Sequence, residues 1–178
     1  VHFQGAYENT IRRCRFYGTT TAATFEKGRG RYLFRSSNNT FTDCLLSIEA
    51  WGATNGEQQA HGLRDSSYFN VFTRDTMLLG MTSKGARRAL LSQSGSWPGT
   101  ADYNSWVDCY YKSFATNDGG SNAAFEFQDS ADRNLVQGCQ FISRVSVPLA
   151  ISGNAQPDSM VMRHCTFYTG GSQVYRYE

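Results

Sequence analysis

An eight-residue pattern, Asn-x-apolar-x-x-Cys-x-apolar, recurs six times along the chain and restricts the folds open to it. The cysteine positions of successive copies are 30, 31, 34, 30 and 26 residues apart. Asn is replaced once, by Met160, and Cys is replaced once, by Asp75. A period of roughly 20–50 residues is typical of repeat proteins, in which each repeat buries its apolar face against its neighbours. The six copies begin at Asn9, Asn39, Asn70, Asn104, Asn134 and Met160.

A second, looser motif precedes the later copies, and it gives each repeat three short apolar segments separated by polar turns. Apolar residues alternate with period two, as in Phe125-Glu-Phe127, and no segment sustains a helical period. The motif begins at Phe34, Leu63, Leu91, Phe127 and Ile151. Three short strands in about 30 residues predict an all-β fold, a right-handed parallel β-helix of about six coils.

Stacked coils place equivalent residues directly above one another, about 4.8 Å apart. We therefore expect two inward-facing apolar columns and a ladder of Asn side chains at one turn, each amide bonded to the next coil. The first column contains Ile11, Phe41, Phe72, Trp106, Val136 and Met162. The second column contains Phe16, Leu46, Met77, Tyr111, Phe141 and Phe167.

Length and composition fit one domain, residues 1–178, and exclude several classes of protein. Charged residues make up only 18%, which argues against a coiled coil or a helical bundle. The formal net charge of +2 is too small to suggest a nucleic-acid partner. No apolar run is long enough for a membrane span. The first residues, from Val1, resemble neither a translation start nor a signal peptide, so we expect a segment of a longer chain.

The five cysteines predict a column of small buried thiols. An odd number leaves at least one unpaired, and Asp75 interrupts the column, so we expect free structural thiols. Cys-x-x-Cys spacings are absent, so neither a metal nor another cofactor is expected. Asp75 is expected to point inward, where capping a turn is a better-supported role than catalysis.

A resemblance to a known group emerges from these motifs. The pattern Asn-x-Ile-x-x-(Asn/Cys)-x-Phe, preceded by Ser-Ser-Asn as at Ser36 to Asn38, resembles the coil signature of the pectate-lyase-like β-helix superfamily. The resemblance extends from Phe3 to Phe167. That group includes polysaccharide lyases, hydrolases, epimerases and phage tailspikes, so the resemblance implies a glycan partner and a location outside the cell or on a virion surface. No lyase active-site motif is found in the chain, and fold alone does not determine function.

The long segment from Ser47 to His61 has the richest set of chemical groups. Glu49 and Glu57 could serve as the acid and base of a glycoside hydrolase, which needs two carboxylates beside the scissile bond. Trp51 could stack on a sugar ring, and His61 could assist proton transfer. The alternative reading is a solvated loop with Trp51 folded onto the stack.

Other residues could contact a glycan. Trp97 could be exposed for sugar stacking or packed against the neighbouring coil. Arg35 and Arg64, aligned by the second motif, could line a groove for acidic sugars. Charges alternate in the position before the cysteine column, so neighbouring coils could pair them as register and solubility devices. That position holds Arg13, Asp43, Arg74, Asp108, Gly138 and His164.

Two functions from different classes therefore remain. The first is a β-helix that binds or degrades a polysaccharide or cell-surface glycan, and any catalysis would be that of a hydrolase or a lyase. The alternative is a non-catalytic structural or adhesive rod. Because a solenoid exposes its ends unless they are capped, a homotrimer or flanking domains are also expected.

Overall fold

The computed structural model describes residues 1–20, 27–50, 57–64, 66–81, 87–93, 101–114, 122–128, 131–144, 147–152, 159–170 and 175–177. These residues form a parallel β-solenoid with no helix among them, so the all-β expectation is confirmed. Three parallel sheets, called here the wide, narrow and side sheets, surround a packed interior. No helix in this part of the chain is long and apolar enough to cross a membrane.

The wide sheet contains seven strands in the order β1-β4-β7-β10-β13-β16-β19. Its strands are β1 (His2–Gln4), β4 (Lys27–Phe34), β7 (Glu57–Arg64), β10 (Arg87–Gln93), β13 (Asn122–Gln128), β16 (Val147–Ser152) and β19 (Tyr175–Tyr177). Each strand pairs in parallel with the strand three elements further along the chain, so one coil consists of three consecutive strands.

The narrow sheet contains six strands of three residues each, in the order β17-β14-β11-β8-β5-β2. They are β2 (Thr10–Arg12), β5 (Thr40–Thr42), β8 (Val71–Thr73), β11 (Ser105–Val107), β14 (Leu135–Gln137) and β17 (Val161–Arg163). The central residue of each strand points inward, and the two outer residues form the solvent side of the sheet. This outer side is only about 10 Å wide along the strand direction.

The side sheet contains the remaining six strands, in the order β18-β15-β12-β9-β6-β3. They are β3 (Arg15–Thr20), β6 (Leu45–Ala50), β9 (Thr76–Met81), β12 (Tyr110–Ser113), β15 (Gln140–Ser143) and β18 (Thr166–Thr169). Both predicted apolar columns are confirmed by the strand registers, the first in the narrow sheet and the second in the side sheet. In the first column the rings of Phe41 and Phe72 stack at 5.4 Å, and in the second Tyr111 and Phe141 stack at 5.2 Å.

The Asn ladder holds the turn that enters the narrow sheet. Asn39 donates through Nδ2 to Oδ1 of Asn70 at 3.0 Å, and Asn70 donates in the same way to Asn104 at 3.0 Å. Asn9 makes the equivalent bond to Asn39 at 2.9 Å. These side chains also bond to backbone carbonyls inside the turn, as Asn70 does to Ser36 at 2.8 Å. The ladder therefore satisfies buried backbone groups that the turn leaves without strand partners.

The cysteine column forms a second ladder at the turn that leaves the narrow sheet. All five cysteines are free, as predicted. Cys109 donates its backbone N–H to Sγ of Cys139 at 3.4 Å, and its own thiol lies 3.5 Å from the carbonyl of Phe72. Asp75 takes the same position in its coil, where Oδ1 accepts the N–H of Cys44 at 2.8 Å. The prediction of an inward carboxyl that caps a turn is therefore confirmed.

The alignment of the second motif in the wide sheet was wrong by one residue at two places. Leu33, and not Phe34, is in register with Leu63, and Ser92, and not Leu91, is in register with Phe127. Successive residues point to opposite faces of a strand, so a slip of one residue exchanges the inner and outer faces. Arg35 and Arg64 consequently do not occupy equivalent positions, because Phe34 is the partner of Arg64.

Candidate functional site

Two columns of left-handed turn residues project outward along the two borders of the narrow sheet. A positive φ is uncommon outside glycine, and here it recurs at the same place in coil after coil. The column on the entering side, with φ of 51° to 56°, is Glu8, Asn38, Phe69, Tyr103, Arg133 and Ser159. The column on the leaving side, with φ of 52° to 66°, is Arg13, Asp43, Arg74, Asp108, Gly138 and His164. The two columns border the outer side of the sheet, and they are called here the entering wall and the leaving wall.

The leaving wall contains a basic cleft of about 490 Å³, called here the arginine cleft. It is lined by Arg12, Arg13, Thr42, Asp43 and Arg74. Arg12 is the last residue of β2 and Arg13 is the turn residue that follows, so the two guanidinium groups come from adjacent positions in the chain. Three arginines and one aspartate give the cleft a net positive charge.

Asp43 and Arg74 form an ion pair across neighbouring coils within the arginine cleft. Nε of Arg74 donates to Oδ1 of Asp43 at 2.7 Å, and Nη2 donates to Oδ2 at 3.0 Å. The side chains are 37% and 55% exposed, respectively. The bonds from Arg74 lower the pKa of the Asp43 carboxyl, and Asp43 in turn raises the pKa of Arg74. The expected pairing of alternating charges is therefore confirmed for this pair.

The side chains of Arg12 and Arg13 form no ion pair or hydrogen bond with the residues that the structure describes. Both are exposed to solvent. A guanidinium group presents its N–H donors in a planar fork that matches the two oxygens of a carboxylate or sulfate. These two groups are therefore available to an anionic ligand.

The entering wall contains an exposed aromatic stack. The rings of Phe69 and Tyr103 lie 5.0 Å apart and nearly parallel, at 20°. The guanidinium of Arg133 lies 5.5 Å from the centre of the Tyr103 ring. Phe69 is 53% exposed and Tyr103 43% exposed, although both are bulky residues at positive φ. The stack therefore covers the facing sides of the two rings, and Arg133 lies near the Tyr103 ring.

The floor between the walls is built from the outward residues of the narrow sheet. It is small and polar beside the arginine cleft, where Thr40, Thr42 and Thr73 lie. It becomes more apolar toward β17, with Val107 and Val161. Leu135, Gln137 and Arg163 also lie on this outer side, so the floor carries larger side chains toward β17.

The two predicted catalytic carboxylates lie in strands and not in a long loop. Glu49 is in β6 of the side sheet, in register with Thr19 and Gly80. Glu57 is the first residue of β7 in the wide sheet, paired with Lys27. Their side chains lie outside the described residues, so their acid and base roles stay a prediction. Trp51 and Trp97 also lie outside the described residues.

The structure places His61 in the interior, away from the outer surface. It is 0% exposed, and its Nδ1 accepts a hydrogen bond from Nε of Arg31 at 2.8 Å. Burial lowers its pKa well below the ordinary value, and the charge of Arg31 adds to this effect. Arg35 is exposed just after β4, and its backbone N–H bonds to the carbonyl of Arg64. His61 therefore faces the core. Arg35 and Arg64 do not lie at equivalent positions of neighbouring coils, because Arg35 is one residue beyond the strand partner of Arg64.

A buried ionic cluster accounts for the position of His61. Nη1 of Arg31 lies 2.8 Å from Oδ2 of Asp75, and both side chains are 0% exposed. The guanidinium of Arg31 also sits over the rings of Phe41 and Phe72, at 4.1 and 4.6 Å. No polymer reaches groups that are fully enclosed, so the cluster serves the fold. Sequence reasoning missed Arg31, although the exception at Asp75 was the signal that an inward cation should exist.

No group of three or more His, Cys, Asp or Glu side chains among the described residues is placed to hold a metal ion. No protein-family model, curated protein or solved structure matches the chain.

Proposed function

We propose that this chain is a polysaccharide-binding solenoid that holds an anionic polymer on the outer side of the narrow sheet. The observation that carries the proposal is the arginine cleft, where Arg12 and Arg13 are exposed and their side chains form no hydrogen bond or ion pair with the described residues. Their charges act on the nearby Asp43 carboxylate without bonding to it. Uronate carboxylates or sulfate esters are the groups of a glycan that a guanidinium fork matches.

Binding is favoured over cleavage at this cleft. Hydrolysis of a glycosidic bond needs two carboxyl groups beside it. Among the lining residues only Asp43 has a carboxylate, and both of its oxygens accept bonds from Arg74. A polysaccharide hydrolase or lyase using Glu49 and Glu57 would act elsewhere on the surface, and it stays a separate prediction.

We infer about six right-handed coils of three strands, in the manner of the pectate-lyase-like superfamily. The parallel pairing of every third strand supports the coil count, and parallel crossover connections are right-handed in nearly all proteins. A glycan partner favours a location outside the cell or on a virion surface, as in tailspikes.

The test is a binding titration with a matched pair of polymers. A uronic-acid polysaccharide and its carboxyl-reduced, neutral counterpart share a backbone and differ in charge. We expect the wild type to bind the acidic polymer, and the double variant Arg12→Ala with Arg13→Ala to lose at least tenfold in affinity. Arg144→Ala, which removes an exposed arginine just after β15 of the side sheet, is the control that should bind like the wild type. Equal binding of both polymers, or no loss in the double variant, would contradict the proposal.

The alternative is a non-catalytic structural or adhesive rod. It is favoured by the Asn and cysteine ladders, whose hydrogen bonds join neighbouring coils and serve stability. The same titration separates the two functions, provided that a circular dichroism spectrum shows β structure. Reducing ends and the absorbance of unsaturated uronate products, followed in the same mixtures, report any cleavage.

A further inference from the structure

The fork of Arg74 is already occupied by a carboxylate in the free protein. Its Nε and Nη2 donate to the two oxygens of Asp43, at 2.7 and 3.0 Å. This is the two-point geometry in which a guanidinium binds a carboxylate or sulfate ligand. The carboxylate of Asp43 therefore occupies two hydrogen-bond donors of Arg74, one of the three arginines of the arginine cleft.

The pair is exposed enough to open at little cost. Asp43 is 37% and Arg74 55% exposed, so each side chain can exchange its partner for water. Exposed ion pairs contribute little net stability, because solvent screens them and two long side chains must be held in one geometry. A ligand anion that enters beside Arg12 and Arg13 meets a third arginine whose present partner is replaceable.

We propose that Asp43 is a specificity-determining residue that an anionic group of the bound polymer displaces from Arg74. This inference rests on the proposed function and concerns the same site. Only a ligand group with a negative charge and paired oxygens can replace both the charge interaction and the two hydrogen bonds that Arg74 makes with Asp43. A neutral sugar hydroxyl offers no such compensation, so Asp43 excludes neutral polymers from this arginine and moderates the affinity for acidic ones.

Asp43→Asn is the variant that tests the displacement. Asn is one of the residues that best tolerates a left-handed turn, and Asp43 has a φ of 56°. The substitution keeps the shape of the side chain and removes its charge, which releases Arg74 for the ligand.

Asp108→Asn is the matched control. Asp108 occupies the same wall one coil further on, is exposed, and has a φ of 53°. Its carboxylate lies over Gly138, in the space where a Cβ at that position would sit. It raises the pKa of Arg74 through its charge, but Arg74 gives its hydrogen bonds to Asp43. This control removes the same charge without releasing the fork.

The experiment is a titration of the uronic-acid polymer and its carboxyl-reduced counterpart against the wild type and both variants, at one low salt concentration. We expect Asp43→Asn to bind the acidic polymer about fivefold more tightly, the effect of one unit charge at about 4 Å in water. Asp108→Asn should gain less than about twofold, because its charge is further from the ligand. Asp43→Glu, which keeps the charge, should bind like the wild type.

Equal gains in Asp43→Asn and Asp108→Asn, or no gain in Asp43→Asn, would overturn the inference while leaving polysaccharide binding intact. If neither the wild type nor any variant binds either polymer, the proposed function itself fails. Melting curves of all variants show whether they are folded. Should Asp43→Asn melt early, Asp43→Ser removes the same charge and is held to the same expected gain.

Discussion

Two consecutive residues of one turn, Arg74 and Asp75, each form an ion pair, but one pair is exposed to solvent and the other is fully buried. Arg74 points outward and pairs with Asp43 at 2.7 Å, with 55% of its side chain exposed. Asp75 points inward and pairs with Arg31 at 2.8 Å, with no exposure of either side chain. The distances are almost equal, so distance does not determine what each pair contributes.

The surroundings determine the role of each pair. Arg31 and Asp75 have no water to replace a lost partner, so removing one leaves a buried, uncompensated charge. Asp43 and Arg74 are in contact with solvent and can change partners. The inner pair therefore suits a structural role, and the outer pair suits ligand exchange.

The largest effect is expected from Asp75→Ala. The variant leaves the buried Arg31 guanidinium without its carboxylate and should lower the free energy of unfolding by about 3–5 kcal/mol. Urea unfolding followed by circular dichroism measures the change. The double variant Arg31→Leu with Asp75→Cys restores the ordinary residue of the cysteine column and should recover most of the loss. A single variant as stable as the wild type would show that the inner pair is not structural.

A smaller effect is expected from breaking the Asn ladder in its buried middle. Asn70→Ala removes bonds to Asn104 and Ser36 and should cost about 1–3 kcal/mol of unfolding free energy, because buried partners are left unsatisfied. Asn9→Ala, at the exposed end of the same ladder, is the control. If the two variants lose the same free energy of unfolding in urea, burial does not determine how much a bond of the Asn ladder contributes.

A pH effect should follow from His61. Its pKa in the folded protein lies well below the unfolded value of about 6.5, so the unfolded chain binds more protons below that pH. Stability should therefore fall as the pH drops from about 6.5, by at most about 1.4 kcal/mol per pH unit. His61→Gln keeps an acceptor for Arg31 and should lose this part of the pH dependence. Urea midpoints measured between pH 7 and pH 5 compare the two proteins, and identical slopes would refute the assignment.

The smallest effect on stability is expected from Asp43→Asn, because Asn tolerates the left-handed turn at this position. Water replaces the lost charge beside Arg74, so the melting temperature should match that of the wild type. Calorimetric scans of this variant and of Asp75→Ala provide the direct comparison of the outer and inner pairs. A large drop for Asp43→Asn would mean that the outer pair is also structural.

Much of the narrow and side sheets could be predicted from the sequence. Asn marks one position and Cys marks another in nearly every repeat. Parallel stacking of the coils then aligns the residues next to these positions. The ladder from Asn9 to Asn104 and the stack of Phe41 on Phe72 followed from this alignment. The pairing of Asp43 with Arg74 followed as well, because alternating charges occupied one position of successive coils.

The wide sheet was harder to predict, for a physical reason. The Ser that ends its motif in most copies does not fix the register of the strand before it. Tyr32, Leu33 and Phe34 are all apolar, so the sequence does not mark which of them points inward. An inward Arg31 and His61 also oppose the general rule that charged and polar groups face water. Such positions are recognisable only when the partner, Asp75, is placed across the interior.

The arginine cleft could be predicted only in part. Arg13, Asp43 and Arg74 share one position in the repeat, which the sequence shows directly. Arg12 belongs to the neighbouring strand position, and its approach to the same cleft depends on the sharp left-handed turn at Arg13. Side chains that meet through turn geometry are not marked by spacing alone.

The most direct test of the central claim is arginine footprinting in the presence of the uronic-acid polymer. A dicarbonyl reagent modifies accessible guanidinium groups, and mass spectrometry of peptides reports the extent at each arginine. We predict that the polymer protects Arg12 and Arg13 while Arg144 remains reactive. Protection confined to Arg35 and Arg64, or no protection at Arg12 and Arg13 under saturating polymer, would contradict the account.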